Sequence, residues 1–416
     1  MKRNNLPNIS YTLSHSLCTG CGICEGACPS HAIRMVARNG RFIPQINESL
    51  CKNSKGCHRC HDACAGLGID LIRCAKSLFE TEGTQYNKLI GRYLKCYRGY
   101  SEDALLREKA ASGGMVSQFL IWLLENHKID GAVVTRFNKD APLKVESFIA
   151  TTKEEILSAK GSKYSPVSLH EVVKAVKKAE GNRYVVVGLP CHIHGLRKLM
   201  SIDKRLGVKI IGLFSLFCSG SQTFHYTEYI LKQCGGNVAD LDYLAYREGF
   251  PSGMVAKGKK FGFFREYRKY NMPLKATFYP RRCLLCTDMF GELADINFGD
   301  IHVEKSIDAG VGISGIIVRN SKWQDELNEA FKAGVLKLKE ISVEQILHKR
   351  AMAKVKKSRN ASFVVMLRKL GLTVPIYDSD YEGKANIKVS LRYLIMRTKQ
   401  FVGNHRILWF LLPKII

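Results

Sequence analysis

The chain has 416 residues, of which 64 are Lys or Arg and 37 are Asp or Glu, and its net charge is +27. Its composition, 46% hydrophobic and 24% charged, is ordinary for a globular protein and excludes disordered, collagenous and low-complexity classes. No apolar run approaches the roughly 18 residues that a membrane-spanning helix needs. The polar beginning, Met-Lys-Arg-Asn-Asn, does not resemble a secretory leader. We therefore expect two to three domains and a cytoplasmic location.

The fifteen cysteines are unevenly spread, because nine of them lie in the first 74 residues. A reducing compartment keeps thiols free, so metal or redox chemistry is a better interpretation than a disulfide framework. The clustering predicts a separate metal-binding domain at the N-terminus. Cys74, Cys96 and Cys234 have no neighbours at ligand spacing and are expected to be small buried hydrophobic residues.

The first cysteine run reads Cys18-x2-Cys21-x2-Cys24-x3-Cys28-Pro29. This is the spacing of bacterial ferredoxins, in which three thiolates from one loop hold one cubane cluster and the fourth reaches a second cluster. Gly20 and Gly22 give the loop the backbone freedom to wrap the irons. Zinc is the alternative, since Cys-x2-Cys pairs also form tetrahedral zinc sites, but the full run favours iron and sulfide.

The second run, Cys51-x5-Cys57-x2-Cys60-x3-Cys64, keeps the last two ferredoxin spacings and stretches the first by inserting Lys52-Asn-Ser-Lys-Gly56. The ferredoxin crossover predicts two 4Fe-4S clusters. One would be held by Cys18, Cys21, Cys24 and Cys64, and the other by Cys28, Cys51, Cys57 and Cys60.

The middle of the chain alternates helix and strand patterns, which is typical of an α/β domain. Glycines end several of these predicted elements. The elements are a helix over 113–126, a strand from Gly131, a helix over 169–179, a strand over 184–187, a strand over 208–217 and a helix over 222–234.

Three short stretches of this region carry candidate chemistry. Ala111-Ser-Gly-Gly-Met115 opens a helix whose free amides suit a phosphate, although on its own the motif is better explained as a plain helix cap. Gly188-Leu-Pro-Cys191 follows a strand, at the end where open α/β sheets bind ligands, and we expect an acidic Cys191 thiol there. Cys283-Leu-Leu-Cys286 has too few local ligands for a site, and Cys218 is one candidate for a missing partner.

Residues 346–416 are the most basic part of the chain, with 15 basic and 3 acidic side chains. From Lys349 the pattern predicts basic helices, and Ile387 to Lys399 alternates apolar and basic residues. Two interpretations remain open: an amphipathic helix lying on a membrane, or a helix that docks its apolar stripe on the protein and leaves a basic face in water. The first is a peripheral membrane contact. On either one we expect the tail to be dispensable for cofactor binding.

Taken together and in this order, the motifs resemble the coenzyme F420 hydrogenase/dehydrogenase beta-subunit family, with an added two-cluster ferredoxin domain. The resemblance runs from about Leu17 to Asn320. Besides the ferredoxin runs, it rests on Ser112-Gly-Gly114, Gly161-Ser-Lys-Tyr164, Gly188-Leu-Pro-Cys191, Gly195-Leu-Arg-Lys198, Phe217-Cys218, Cys283-Leu-Leu-Cys286 and Ala294-Asp-Ile-Asn-Phe-Gly-Asp300.

The resemblance implies three domains: an α+β ferredoxin-like domain over 1–75, an α/β flavin-binding domain over 76–345 and a basic helical tail over 346–416. It implies FAD in the second domain and a third 4Fe-4S cluster at Cys191, Cys218, Cys283 and Cys286. The implied flavin contacts are Ser112, Gly113, Gly114, Gly161, Ser162, Lys163, Gly188 and Pro190. Lys163 could equally be a solvated charge.

These features predict an iron-sulfur flavoprotein oxidoreductase that couples one-electron transfer through clusters to two-electron chemistry at FAD. The expected partners are a ferredoxin, a deazaflavin or a reduced nicotinamide, together with a small-molecule substrate. An electron-carrier protein without flavin, feeding a separate enzyme, is the main alternative. A nucleic-acid-binding protein with structural clusters is suggested only by the net charge and is not favoured.

Overall fold

The computed structural model describes residues 7–138, 140–249, 252–301, 312–348, 351–378 and 383–415. The chain begins with a small ferredoxin-like region, in which short helices surround a β-hairpin whose register pairs Ile33 with Ile46. Its elements are α1 (Ile9–Ser14), α2 (Ile23–Ala27), β1 (Ile33–Arg38), β2 (Arg41–Ile46), α3 (Arg59–Asp62) and α4 (Leu71–Phe79).

An α/β body follows. Its first half contains β3 (Gln85–Asn87), β4 (Gly91–Tyr93), β5 (Lys95–Ser101), α5 (Ala104–Lys109), α6 (Met115–Glu125), β6 (Gly131–Phe137), β7 (Val145–Ala150), α7 (Lys153–Ser158), α8 (His170–Lys178), β8 (Tyr184–Gly188), α9 (Pro190–Ile202), α10 (Lys204–Lys209) and β9 (Ile210–Leu216). Its second half contains α11 (Phe224–Gln233), β10 (Leu241–Glu248), β11 (Gly253–Gly258), β12 (Phe261–Glu266), α12 (Tyr267–Asn271), β13 (Ile296–Asp300), β14 (Ser314–Val318), α13 (Ser321–Lys332) and β15 (Leu336–Glu340).

The body is built on an eight-stranded sheet in the order β15-β5-β14-β13-β9-β8-β6-β7. The neighbouring strands β6, β8, β9 and β13 run parallel. β14 is antiparallel to both β13 and β5, so β5 points the same way as the parallel strands. The carboxyl ends of these five strands therefore meet at one edge of the sheet, which is where open α/β sheets bind ligands.

The two faces of the sheet are both covered, as their alternating apolar residues require. On one face Val186 and Leu213 pack with α8, α9 and the buried Ile23 of α2, so the ferredoxin-like region shares this core. On the other face Val185 and Phe214 pack with α6 and with Trp323 of α13.

A separate three-stranded sheet, β10-β11-β12, packs with α11 and α12 around a third core. The C-terminal part of the chain adds α14 (Val343–Leu347), α15 (Ala351–Val355), a π-helical turn at Lys356–Asn360, α16 (Ala361–Lys369), α17 (Ile387–Asn404) and a 3-10 helix at Arg406–Leu411. Among the described residues, no helix is long and apolar enough to cross a membrane.

The six elements predicted for the middle region are all present, with ends shifted by at most two residues. The strand predicted from Val208 starts two residues later, because Val208 and Lys209 complete α10. That helix is fixed at its start by Asp203, whose side chain accepts a hydrogen bond from the Leu206 amide at 3.3 Å.

Candidate iron-sulfur and cofactor sites

We call Cys28, Cys51, Cys57 and Cys60 the outer ferredoxin group. These four thiols line one cavity of about 320 Å³. The insert in the second cysteine run does not carry Cys51 away from this cavity. It forms a 3-10 turn at Asn53–Lys55, and Gly56 follows with φ +83°, a conformation that favours glycine. The Cys57 amide then returns to the Lys52 carbonyl at 3.1 Å. The cavity is lined by Cys28, Cys51, Cys57 and Cys60, with Pro29, Ser30, Ile33 and Ile46 among the other lining residues.

We call Cys18, Cys21, Cys24 and Cys64 the inner ferredoxin group. These four thiols are all buried, each less than 10% exposed. Burial raises the pKa of Cys24 well above its usual value, and the charges of Cys21, Cys18 and Cys64 raise it further. Burial and the charge of Cys64 raise the pKa of Cys18 to about 12. Cys60, which the crossover assigns to the other cluster, also raises the pKa of Cys24, and which thiols share a cluster stays a prediction.

A third group of thiols lies at the carboxyl edge of the large sheet, in a cavity of about 740 Å³ lined by Cys191, Cys218, Cys283 and Cys286. Cys191 is in the first turn of α9, and Cys218 follows β9. Cys283 belongs to a 3-10 turn at Arg281–Leu285, which Cys286 ends. Three separate loops thus converge on one cavity.

The expectation of an acidic Cys191 thiol is wrong. Burial raises its pKa well above the usual value, and the charges of Cys21, Cys218, Cys283 and Cys286 raise it further. The start of α9 favours the thiolate, but desolvation outweighs that effect. Such a group becomes a thiolate when a metal centre compensates its charge.

A cation reaches this cavity from the C-terminal part of the chain, and no sequence pattern indicated it. The Lys356 Nζ lies 3.6 Å from the Cys286 Sγ and donates to the Asp288 carbonyl at 2.8 Å. The side-chain amide of Asn360 donates to the Cys286 carbonyl at 2.7 Å. The tail is therefore not separate from the cofactor sites, which differs from the expectation that it is dispensable for them.

A buried hydrogen bond between Asp288 and His194 holds the loop after Cys286. Asp288 lies 2.9 Å from the Nε2 of His194, and both side chains are at most 3% exposed. The same carboxylate accepts hydrogen bonds from the amides of Phe290 and Glu292. Because His194 is on α9, the pair ties the segment with Cys283 and Cys286 to the helix that carries Cys191.

The inner ferredoxin group faces the third group. Cys21 is the first of the charged groups that raise the pKa of Cys191, ahead of its three partners in the cavity. The Cys21 carbonyl accepts a hydrogen bond from the Leu169 amide at 2.9 Å, and the Cys64 carbonyl accepts one from Lys198 at the same distance. The inner thiols are thus fastened directly to the α/β body.

The contact between ferredoxin-like region and body is close along its length. A Cβ at Gly22 would lie 2.2 Å from the Ser168 hydroxyl, and one at Gly26 would lie 2.4 Å from Val173. Arg282, which is 3% exposed, donates to the Gly66 carbonyl at 2.7 Å. These contacts fix the two regions relative to one another.

The flavin candidates lie at the same edge of the large sheet. Gly113 has no room for a side chain, since a Cβ there would lie 2.7 Å from the Gly99 carbonyl, and its amide donates to the Ser314 hydroxyl at 3.1 Å. Gly114, with φ +73°, begins α6 without a side-chain cap. The Ser112 hydroxyl donates to the Ile313 carbonyl at 3.1 Å. Among the described residues no side chain caps the start of α6, so its first amides could bind an anion.

The second flavin candidate is the loop after α7. Gly161 has φ +83° and open space around it. The Lys163 ammonium donates to the carbonyls of Ala159, Lys160 and Gly161, and it lies 5.8 Å from the centre of the Phe137 ring. Lys163 thus fastens its own loop and is not a solvated charge, and its contact with a flavin stays a prediction. Phe137 ends β6, four strand spacings or about 19 Å from β14.

The third flavin candidate is the segment Gly188–Pro190, whose two candidate residues have different surroundings. A Cβ at Gly188 would lie 2.9 Å from that of His192, so this turn is tight. Pro190 lines the cavity that holds the third thiol group, which Ser112–Gly114 and Gly161–Lys163 do not line.

The remaining cysteines are placed only partly as expected. Cys96 is buried at 2% exposure, whereas Cys74 and Cys234 are half-buried. In the part of the chain that the structure describes, no group of three or more His, Cys, Asp or Glu side chains converges tightly enough to hold a single metal ion. Two groups of four thiols line cavities, whereas Cys18, Cys21, Cys24 and Cys64 are buried.

A ferredoxin-like region joined to an α/β body, with thiols grouped in cavities, defines the class of iron-sulfur oxidoreductases. Family models agree with this. Residues 96–174 match the model for the N-terminal part of the beta subunit of coenzyme F420 hydrogenase/dehydrogenase. Residues 181–344 match the model for the C-terminal part of the same polypeptide, and residues 11–34 match a "4Fe-4S binding domain". The chain belongs to the coenzyme F420 hydrogenase/dehydrogenase beta-subunit family.

Individual relatives support this assignment. The chain is 30% identical over 299 residues to the coenzyme F420 hydrogenase subunit beta of Methanococcus voltae, covering 68% of this chain and 99% of the relative. It is 27% identical over 367 residues to the coenzyme F420-dependent sulfite reductase of Methanocaldococcus jannaschii, covering 84% of this chain and 52% of that protein.

Among solved structures, a chain of the F420-reducing NiFe hydrogenase complex of Methanosarcina barkeri shares the fold. The TM-score is 0.57 at 20% sequence identity, and the match covers 72% of this chain and all of the other.

Proposed function

We propose that the protein is an iron-sulfur flavoprotein oxidoreductase that passes electrons between a one-electron carrier and a two-electron substrate. The observation that carries the proposal is the succession of three thiol groups, in which the inner ferredoxin group adjoins the group at the edge of the sheet. Its cofactors would be two 4Fe-4S clusters in the ferredoxin-like region, a third 4Fe-4S cluster in the body, and FAD.

The order of the thiol groups supports one route. The thiols of the outer group, with Cys28 and Cys51, are half-buried, whereas those of the inner group, with Cys21, are buried against the body. An external carrier would therefore exchange electrons at the outer cluster, and electrons would pass through the inner and third clusters toward the flavin, or in reverse.

The third site suits a cluster on three counts. The cavity of about 740 Å³ has four thiols in its lining. Burial, and after it the charges of the neighbouring thiols, raises the pKa of Cys191, and a metal centre would compensate both effects. The buried Lys356 adds a positive charge next to Cys286, which offsets the charge of the thiolates.

For FAD, the support comes from position. Ser112–Gly114 supplies an uncapped helix start, and Gly161–Lys163 supplies an open loop farther along the same edge. A dinucleotide is extended enough to contact both. When bound, a flavin exchanges electron pairs with a substrate and single electrons with a cluster. The chain's role would be to bind and orient it near the third cluster.

The names of the relatives favour a deazaflavin as the two-electron partner, since those proteins are called coenzyme F420 hydrogenase and coenzyme F420-dependent sulfite reductase. A ferredoxin remains the proposed one-electron partner, and a reduced nicotinamide is the alternative two-electron donor. The cysteine usage favours action in the cytoplasm. We further propose contact between the C-terminal segment and a membrane surface.

The proposed domains are a ferredoxin domain over 1–75, a flavin-binding domain over 76–345 and a C-terminal segment over 346–416. The boundary at 346 separates sequence patterns and family-model matches, which end at residue 344. It does not separate cofactor sites, because Lys356 and Asn360 contact the Cys286 loop.

The test is anaerobic reconstitution of the full chain, followed by quantification of iron, sulfide and flavin. The proposal expects about twelve iron and twelve sulfide per chain, four of each per cluster, and about one FAD. Two zinc ions without sulfide would overturn the cluster assignment. Clusters without flavin, together with no reduction of any two-electron acceptor, would favour the electron-carrier alternative.

The third cluster is tested with Cys283→Ser. This variant should lose about four iron per chain while the spectroscopic signals of the ferredoxin clusters persist. Cys234→Ser is the matched control, since Cys234 is half-buried with Arg265 beside it and lines neither thiol cavity. Equal iron content in both variants would contradict a third cluster.

A further inference from the structure

The C-terminal segment exposes a concentration of large apolar side chains. Their exposed fractions range from 50% for Ile395 to 84% for Ile387. Isolated apolar residues on a surface are normal, whereas a dense group marks an interaction site. We call this group the C-terminal apolar face; it consists of Ile387, Leu391, Leu394, Ile395 and Phe401 of α17 and Ile407, Phe410 and Leu411 of the following 3-10 helix.

The outward direction of this face is fixed by packing on the other side of α17. Val389, Tyr393 and Met396 pack into the core that contains Phe363 of α16. Gly403 is buried, and a Cβ there would lie 2.5 Å from the Thr277 carbonyl. The helix therefore cannot turn its apolar face inward without breaking these contacts.

The 3-10 helix is anchored in the same way. Trp409 is 7% exposed within the core of the smaller sheet, and its Nε1 donates to the Gly403 carbonyl at 3.0 Å. With Trp409 held inside, Ile407 and Phe410 are left at 83% and 78% exposure.

Within the C-terminal segment itself the charged side chains have a single sign. Residues 383–415 contain seven Lys or Arg side chains and no Asp or Glu. At 100° per residue, Lys388, Arg392 and Lys399 form a row on α17 between the apolar face and the docked side, and all three are exposed. Arg406 differs, because it pairs with Glu228.

We propose that the C-terminal apolar face docks on an anionic lipid bilayer, with α17 lying in the plane of the interface. An exposed apolar stripe beside a row of cations is the pattern of interfacial helices. Anionic headgroups would satisfy the cations, while Leu391, Leu394 and Phe410 enter the acyl boundary. The segment lies beyond the family-model matches, which end at residue 344.

A lipid surface fits better than a protein partner. The face spans about 27 Å along α17 alone, from the length of an 18-residue helix. The chain offers no acidic side chain along it for the mixed charge pairing that specifies a protein interface. The proposal rests on the membrane contact proposed above and does not depend on the redox function.

The test is flotation of the reconstituted full-length protein with vesicles. The protein should float with vesicles containing 30% phosphatidylglycerol in phosphatidylcholine at low salt, at least tenfold more than with pure phosphatidylcholine. Raising the salt should reduce binding, because it screens the cations. Failure to float with the anionic vesicles would overturn the proposal.

The variant Leu391→Ser/Leu394→Ser should bind the anionic vesicles at least tenfold more weakly. Leu105→Ser/Val208→Ser is the matched control, since these residues are 66% and 69% exposed elsewhere on the body. Iron, sulfide and flavin contents should be unchanged in both. Equal loss of flotation in the control would overturn the proposal, as would a wild-type dimer that ignores vesicles and dissociates in the Leu391/Leu394 variant.

Discussion

The ammonium group of Lys356 lies 3.6 Å from the thiol of Cys286, although 70 residues separate them in the chain. Lys356 is 2% exposed, and the charges of Cys286, Cys218 and Cys283 favour its protonated form, which raises its pKa despite burial. The lysine is thus a fixed positive charge beside the proposed third cluster. A positive charge there stabilises the reduced, more negative cluster.

Replacing this charge should lower the reduction potential of the third cluster. At a separation of about 6 Å and an effective dielectric constant of about 20, one charge contributes about 3 kcal/mol. We therefore expect Lys356→Met to shift the midpoint downward by on the order of 100 mV. Electron paramagnetic resonance during a redox titration measures the shift.

Lys354→Met is the control, because this substitution removes the same charge from an exposed position in α15. A long-range effect of net charge would shift both variants equally and would remove the specific role of Lys356. An unchanged midpoint in the Lys356 variant would do the same.

The inner ferredoxin loop depends on glycine for its contact with the body. Gly22→Ala would place a methyl group 2.2 Å from the Ser168 hydroxyl and 2.7 Å from the His170 amide, at φ +79°. We expect a loss of several kcal/mol in unfolding free energy and slower electron transfer between the inner and third clusters. Chemical denaturation and rapid-mixing reduction measure the two effects.

Gly56→Ala isolates the contribution of backbone strain to that result. Gly56 has φ +83°, close to that of Gly22, and nothing lies within 4 Å of the added Cβ. The Gly56→Ala variant should lose only about 1 kcal/mol in unfolding free energy. If both variants were equally destabilised, close packing between the regions would not explain the requirement for Gly22.

Gly22 also shows what can and cannot be predicted from the sequence. Gly22 was expected to help its loop wrap a cluster, because ligand spacing is a local property that can be read from neighbouring residues. Its contact with Ser168 depends on how two regions dock, which no local pattern contains. Lys356 is harder still, since its position depends on a π-helical turn that brings a basic segment back to the sheet edge.

The α/β architecture, like the spacing of the cysteine runs, was predictable because it depends on residues close to one another in the chain. Periodicity identified the strands at Gly131 and Tyr184, and the placement of Cys191 at a strand end followed from it. The thiol's pKa did not follow, because desolvation depends on everything packed around it. Similarly, the pattern of Ile387 to Lys399 indicated an amphipathic helix. The structure then put Val389 on the docked side and Leu391 on the exposed side.

The protein should lose stability in mild acid because of His192. Its side chain is 3% exposed, and burial lowers its pKa to about 4. The neutral ring accepts a hydrogen bond from the Leu189 amide at 3.1 Å and donates to the Val167 carbonyl at 3.2 Å. Below about pH 6.5 the unfolded chain takes up a proton that the folded chain refuses, so stability falls until about pH 4.

The expected loss over that interval is about 3 kcal/mol. Urea denaturation between pH 7 and pH 4 measures it, and His192→Gln, which does not titrate, should be less stable at pH 7 but flatter across the interval. Parallel curves for the two proteins would show that His192 does not cause the acid sensitivity.

The last prediction concerns the flavin candidate Gly113. Gly113→Ala would place a Cβ 2.7 Å from the Gly99 carbonyl and 2.9 Å from the Ser314 amide, both of which are strand backbone that cannot move aside cheaply. The start of α6 would have to shift away from β5 and β14, and its free amides would move with it. Because Gly113 does not line the thiol cavities, we expect the variant to retain its iron and lose most of its flavin. The matched control is Gly207→Ala in α10, where the nearest atom to the new Cβ is 3.5 Å away. Flavin and iron are measured on the same anaerobically reconstituted samples. Full flavin in the Gly113 variant, or loss of iron and flavin together, would remove Ser112–Gly114 from the proposed flavin site.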